Sequence, residues 1–347
     1  QLDVELLPEH NTGFREYWGK LGHFKLAAKA CEMVSNSRLK TLMMANLDRI
    51  AYSDQVLSGQ LPTFPNPTEQ FVPLADVSDI VWRTTRKMDR ANHFADMDQE
   101  GKANFSGKTL LDVCQDPKSV DGRVWQSFYE SIDIDKQDRG ALPFRIWQMY
   151  EEMIACLKQR KIAEFVCLAG LMAHYAGDAC QPLHISQFHD GELSSDSGVH
   201  SAYETQMLDR NSAELVAAVN QAIQGCKAQA EVNGGHEAAV RTVELMRETY
   251  TTLPPLDIIE VYRESSGPKA MWGPLKDRTV KCFVKGCQNL AILWESAWKE
   301  GNGSKVPKSK LVKVDTETLK GLYDDREFAK AMWLDDMVEA GIGVVPD

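Results

Sequence analysis

The sequence predicts an all-α protein, organised as a single multi-helix domain with a short C-terminal extension. Three observations carry this expectation. Apolar residues recur at helical spacing in Leu26, Ala27, Ala30, Cys31 and Val34, again in Phe165, Val166, Leu168, Leu171, Met172 and Tyr175, and in a long closing pattern from Val280 to Trp298. No strand-like alternation of any length competes with them. With 43% apolar residues in 347, the chain can bury a substantial core.

Taken in order, residues 1–17 carry a proline, an Asn-Thr-Gly turn signal and mixed charge, and read as an irregular N-terminal segment. A helix follows Trp18-Gly-Lys-Leu-Gly-His23, and a second reads over 39–53. A proline-rich loop, 61–67 with Pro73 beyond it, separates these from helices expected over 124–132, 144–159 and 161–180. Leu208, Leu215, Val219 and Ile223 continue the helical pattern to Gly225, and another helix spans 236–253, closed by Pro254-Pro255. Beyond residue 300 a basic stretch (Lys305, Lys308, Lys310, Lys313) reads as a solvated linker, because short charge runs usually face water. The expected layout is 1–17, 18–300 and 301–347.

The formal net charge of −11 argues against a stable nucleic-acid complex built on a broad basic surface. Bound metal would add positive charge at one pocket, so an acidic protein can still attract a phosphodiester locally. Eight cysteines form no CxxC zinc pattern and are too sparse for a disulfide scaffold, so buried free thiols are the plain reading, with disulfides left open. Cys282 and Cys287, five apart on one helix, do not face each other. No apolar run approaches the roughly 18 to 20 residues that span a bilayer. The expectation is a secreted or periplasmic protein with no transmembrane segment, though peripheral membrane contact is compatible with it.

Four of the eight histidines fall within residues 173–204, interleaved with carboxylates. His174 and Asp178 leave one helix face a turn apart, His184 follows the Pro182 turn, and His200 and Glu204 repeat the four-residue spacing. A lone His or Asp on an apolar helix is usually a hydrogen-bonded core group. Five together are harder to explain so, and an ionised Asp178 in an apolar helix needs a cation or a donor network. These are N and O ligands of the kind zinc accepts. Asp96 and Asp98 lack the later ligands of a calcium loop and read as turn residues. His189 and Asp190 lie in the loop between the ligand segments, and His236 stands at a helix start.

The strings H-Y-x-G-D-x-x-Q-P-L-H from His174 and G-x-H-S-x-Y-E from Gly198 resemble the metal-binding core of the zinc-dependent phospholipase C and S1/P1 nuclease superfamily. The resemblance covers residues 18–300. It implies that His174 and Asp178 serve a first zinc, that Asp178 bridges to another, and that His184, His200 and Glu204 hold a partner zinc. H-F-x-D-x-D-x-x-G-K from His93 is similar to the phospholipase segment around a further ligand of the first zinc. An aspartate fourteen residues before that histidine falls on Asp79, with Asp76 as the substitute. W-G-K-x-G-H resembles the mature N-terminus of the nucleases, where Trp and His bind a third zinc, here Trp18 and His23. Trp18 stands inside this chain, so its nitrogen is an amide and a poorer metal donor.

The resemblance implies a zinc-dependent phosphodiesterase with two zinc ions and a third at Trp18 and His23. Its expected substrate is a phospholipid or another phosphodiester, and Asp79 is expected to orient or deprotonate the attacking water. Glu204 as the last ligand favours the phospholipase branch, whereas the W-G-K-x-G-H string favours the nucleases. A single-strand nuclease or 3′-nucleotidase is therefore one alternative, and a non-catalytic helical protein with structural zinc is another. Structural zinc is normally closed by four protein ligands, whereas sharing these nine residues among three ions leaves open positions.

Overall fold

The computed structural model describes residues 20–346, and it is all-α. Strand pairing among the described residues is confined to three isolated bridges. At the centre lies the helix Ile162–Ala179, buried without interruption from Phe165 to Ala179. A helix apolar on every side has to be enclosed. Lys20–Met33, Leu142–Lys158, Gly234–Thr252 and Trp272–Glu300 all pack against it. The His174 and Asp178 side chains therefore emerge inside the protein, both fully buried.

Two glycines let neighbours approach this helix. A methyl group on Gly170 would lie 2.5 Å from the Cβ of Leu74, and one on Gly177 would lie 2.6 Å from Nδ1 of His23. The first brings in the short 3₁₀ turn Leu74–Asp76. The second brings in the helix Lys20–Met33, which carries His23.

The expected helices form, with informative differences. The stretch 39–53 is broken at Asn46 into Ser37–Ala45 and Leu47–Ile50. The Asn46 side chain donates to the carbonyls of Leu42 and Val312 and accepts from the amide of Val314, so it ties the C-terminal segment down at the break. Pro254-Pro255 does close the preceding helix, but Pro255 also begins a new one, Pro255–Glu264, since proline suits a first helical position.

Of the stretch 301–347, expected from the sequence as a linker and short extension, the described residues 301–346 belong to the packed body. Val306, Leu319, Tyr323, Leu334 and Met337 are fully buried. The helix Thr316–Asp324 lies on the central helix, and Leu334–Glu339 lies on Gly122–Ser131. Arg49 and Arg38 hold the carbonyls of Val314 and Val306. The lysines of the basic stretch face outward while the backbone between them is strapped in place. All eight cysteines are free thiols, six of them buried. Among the described residues no helix is long and apolar enough to cross a membrane.

Candidate metal centre

Among the described residues, three groups of His, Asp and Glu side chains are each close enough to hold a metal ion. The first is built on the central helix. His174 Nε2 lies 3.0 Å from His93 Nδ1, 3.5 Å from Asp178 Oδ2 and 3.7 Å from Asp79 Oδ1. His93 Nδ1 lies 3.0 Å from Asp178 Oδ2 and 3.8 Å from Asp79 Oδ1. A tetrahedral ion with bonds of roughly 2.0–2.2 Å needs ligand atoms about 3.3–3.6 Å apart. The separations among His93, His174 and Asp178, and those from Asp79 to the two histidines, bracket that value.

Asp79 and Asp76 take different places around His174. Asp79 faces Nε2, whereas Asp76 Oδ1 faces Nδ1 at 3.4 Å, the nitrogen that also meets the carbonyl of Ala75 at 3.2 Å. Asp76 thus stands behind the ring and Asp79 in front of it. The backbone is the cause, because the 3₁₀ turn at Leu74–Asp76 gives way to a π-helical turn, Ser78–Trp82, that re-aims the next carboxylate. Burial pushes Asp76 up to about 7 despite the opposing pull of His174.

The second group joins His184, His200 and Glu204. Glu204 Oε2 lies 3.1 Å from His184 Nε2 and 2.6 Å from His200 Nε2, with Gln181 Nε2 donating to the same oxygen at 2.5 Å. Glu204 also sits on a π-helical turn, Ala202–Met207. The third group adds His23, Asp76 and Asp79 around His174. His23 stacks on His174 with ring centroids 3.8 Å apart, and its Nε2 lies 3.6 Å from Asp178 Oδ1. Trp18 and residues 1–17 lie outside the described residues.

Asp178 faces different neighbours with its two oxygens: Oδ2 towards His93 and His174, and Oδ1 towards His184 Nδ1 at 3.5 Å and His23 Nε2 at 3.6 Å. Oδ1 is buried and makes no hydrogen bond among the described residues. A buried carboxylate oxygen without a donor is costly unless a cation meets it. A metal ion bound here would satisfy this oxygen, in keeping with a donor set that could hold one.

Oxygen acceptors hold the outward ring nitrogens. His184 Nδ1 meets the carbonyl of His93 at 2.8 Å, His200 Nδ1 that of His189 at 2.9 Å, and His93 Nε2 meets Asp89 Oδ2 at 2.9 Å. Such bonds fix the tautomer and leave the inward nitrogen's lone pair free to bind metal. Asp89 was missed in the sequence, although its i, i+4 relation to His93 is the spacing that identified the other pairs. Asp190 accepts from the amides of Gly198 and His200, so it and the His189 carbonyl set the turn that carries His200. Asp98 accepts from the Ser186 hydroxyl and the Gln187 amide and holds the chain just after His184. The amides of Ala95 and Met97 donate to the carbonyls of His184 and Ile185, which keeps the two histidine segments side by side.

Burial opposes charge on His184, but Asp178 and Glu204 outweigh it and raise the imidazole to about 9. His93 is raised for the same kind of reason, burial being overcome by its bonds to Asp178 and Asp89. In metal-free protein these protons stand in for cations. A raised folded-state pKa gives stability that is complete below the unfolded value of about 6.5 and lost as pH rises through the folded value. Metal-free protein should therefore lose about 3 kcal/mol on account of His184 between pH 6.5 and 9. Protein loaded with a divalent metal should stay nearly flat, and melting curves of both forms across that range check this.

Gly177→Ala places a methyl group against the His23 ring. Overpacking of this kind costs about 1–3 kcal/mol, so the protein should still fold. His23 should swing away from Asp178 and bound metal should fall by one ion, read by elemental analysis beside a thermal melt.

The geometry defines a helical protein with clustered imidazole and carboxylate donors. No protein-family model matches the chain, and no solved structure matches it. Among curated proteins it is similar to one from Bradyrhizobium tropiciagri named "Probable serine protease", at 30% identity over 400 aligned positions that cover 96% of this chain and 50% of that protein. The chain thus spans about half the length of the curated relative it matches.

Proposed function

We propose that this protein is a zinc-dependent phosphoric diester hydrolase of the phospholipase C type, acting on phospholipid head groups. The reading rests on the donor set that converges on Asp178, together with the H-Y-x-G-D-x-x-Q-P-L-H and G-x-H-S-x-Y-E strings. Asp79, His93, His174 and Asp178 would hold one ion, and His184, His200 and Glu204 a second. His23 and Asp178 Oδ1 would serve a third, with Trp18 as the expected further donor. When bound, divalent ions supply a water that is nucleophilic near neutral pH and stabilise charge on the phosphoryl oxygens.

The residues divide the remaining work by burial. His174, Asp178 and Glu204 are shielded, whereas Asp79, His93 and His184 keep 13% of their side-chain surface and His200 keeps 28%. The exposed members mark the side from which a substrate phosphate enters. Asp79 is the carboxylate on that side, so it is placed to orient the attacking water and accept its proton. Desolvation around His174 and Asp178 keeps the electrostatics of the inner wall strong.

The relative's name favours a second reading, hydrolysis of peptide bonds by a serine nucleophile. That chemistry needs a serine hydroxyl hydrogen-bonded to a histidine base. The rings of His93, His174, His184 and His200 instead meet carbonyls, carboxylates and one another. A parallel assay separates the readings, offering a chromogenic choline phosphodiester, single-stranded DNA and casein with and without a zinc chelator. Choline-ester hydrolysis abolished by the chelator is the expected result. Faster cleavage of DNA would move the protein to the nuclease branch. Caseinolysis indifferent to chelator and blocked by a serine-directed phosphonate would overturn the proposal.

A further inference from the structure

Residues 323–330 reach the metal centre through two buried arginines. Arg86 donates to the carbonyls of Tyr323, Asp325, Phe328 and Ala329. Arg145, fully buried, donates to those of Ala329 at 2.8 Å and Lys330 at 2.9 Å. Ala329 has a φ of +45°, a left-handed conformation unusual for a residue with a Cβ, and its oxygen is shared by both guanidinium groups. On its other side Arg145 faces Asp89 Oδ1 at 3.4 Å, and Asp89 also accepts from the Tyr175 hydroxyl at 2.7 Å and meets His93 Nε2 at 2.9 Å.

The 3.4 Å separation is informative. An arginine and a carboxylate left to themselves close to about 2.7–2.9 Å, often through two bonds. Here Nη1 of Arg145 donates to the Lys330 carbonyl and to Gln148 Oε1 at 2.8 Å, and Nη2 to the Ala329 carbonyl and, at 3.4 Å, to the Tyr175 hydroxyl, which holds the guanidinium back from Asp89, while Nε finds no partner among the described residues. Asp89 is left free to orient His93.

We infer that the C-terminal segment is a positioning element of the metal centre: by occupying Arg145 it keeps Asp89 on His93 and His93 Nδ1 aimed at Asp79, His174 and Asp178. Without the strap, Arg145 closes on Asp89, His93 loses its acceptor and the first metal position loosens. The inference rests on the metal-centre reading proposed above.

The test uses the full chain and follows zinc affinity by competition with a chromogenic chelator, beside zinc stoichiometry and melting temperature. Ala329→Val puts a β-branched residue where φ is positive and should displace the shared carbonyl. Zinc at the most weakened position should bind about 10–100-fold less tightly, the usual effect of losing an outer partner of a ligand. Arg145→Met removes the group that closes on Asp89, so combined with Ala329→Val it should restore most of the lost affinity, and Ala329→Gly, which suits the conformation, should leave affinity unchanged. Met337→Ala, at the far end of the segment, controls for general loss of stability: it should lower the melting temperature and spare zinc affinity. Unchanged affinity in folded Ala329→Val, or an equal loss in Met337→Ala, would overturn the inference. Wild-type protein that binds no zinc would instead reject the metal-centre reading on which it depends.

Discussion

In the proposed zinc phosphodiesterase, Asp178→Asn is expected to remove two zinc ions and to lower phosphodiester turnover by about 10³-fold or more. The reason is geometric. Oδ2 faces His93 Nδ1 at 3.0 Å and His174 Nε2 at 3.5 Å, while Oδ1 faces His23 Nε2 at 3.6 Å. An amide keeps the volume but offers one neutral oxygen, so one side must meet an NH₂ group. The fold should tolerate the change, because it removes a buried charge without opening a cavity. Elemental analysis should show the loss, and the variant's melting temperature should no longer rise as far on adding zinc. Full zinc content with wild-type turnover would refute both the bridging role and the metal dependence.

Glu204→Gln is expected to empty the second position and cost about 10²–10³-fold in turnover while leaving the first occupied. Glu204 Oε2 is the point at which His184, His200 and Gln181 meet. An amide there can turn its oxygen to only part of that set. Burial works against the charge on Glu204, but the two histidines and their hydrogen bonds overcome it and hold the carboxyl well below the usual range. The substitution therefore also removes the counter-charge to two imidazoles. Turnover, zinc content and melting should be measured on one preparation. Unfolding with no catalytic defect in the fraction that remains folded would favour structural metal over a catalytic site.

The i, i+4 pairs, His174 with Asp178 and His200 with Glu204, were legible because a helix face is a local property. The central helix was legible too, from an apolar pattern with no polar side until the ligands appear. Asp89 belonged to the same spacing and was passed over because its segment lacks an apolar helical pattern, lying in the 3₁₀ stretch Lys87–Asn92. The choice between Asp79 and Asp76 was beyond local reasoning. On a regular helix residues three apart share a face, whereas the change from a 3₁₀ to a π-helical turn sends them to opposite nitrogens of one imidazole.

By itself the sequence determined that the chain is helical, which helix is enclosed, and which histidines and carboxylates pair along one turn. Those properties depend on a 3.6-residue period and on neighbours in the chain. Only the tertiary structure decided that Asp178 divides its oxygens between two groups, that Asp79 rather than Asp76 faces His93, and that residues 301–346 pack into the body. Each of these depends on contacts between residues far apart in sequence, such as Arg145 with the carbonyls of Ala329 and Lys330. The strap's backbone carbonyls carry no side-chain signature. They acquire a role only when folding brings buried guanidinium groups within hydrogen-bonding reach.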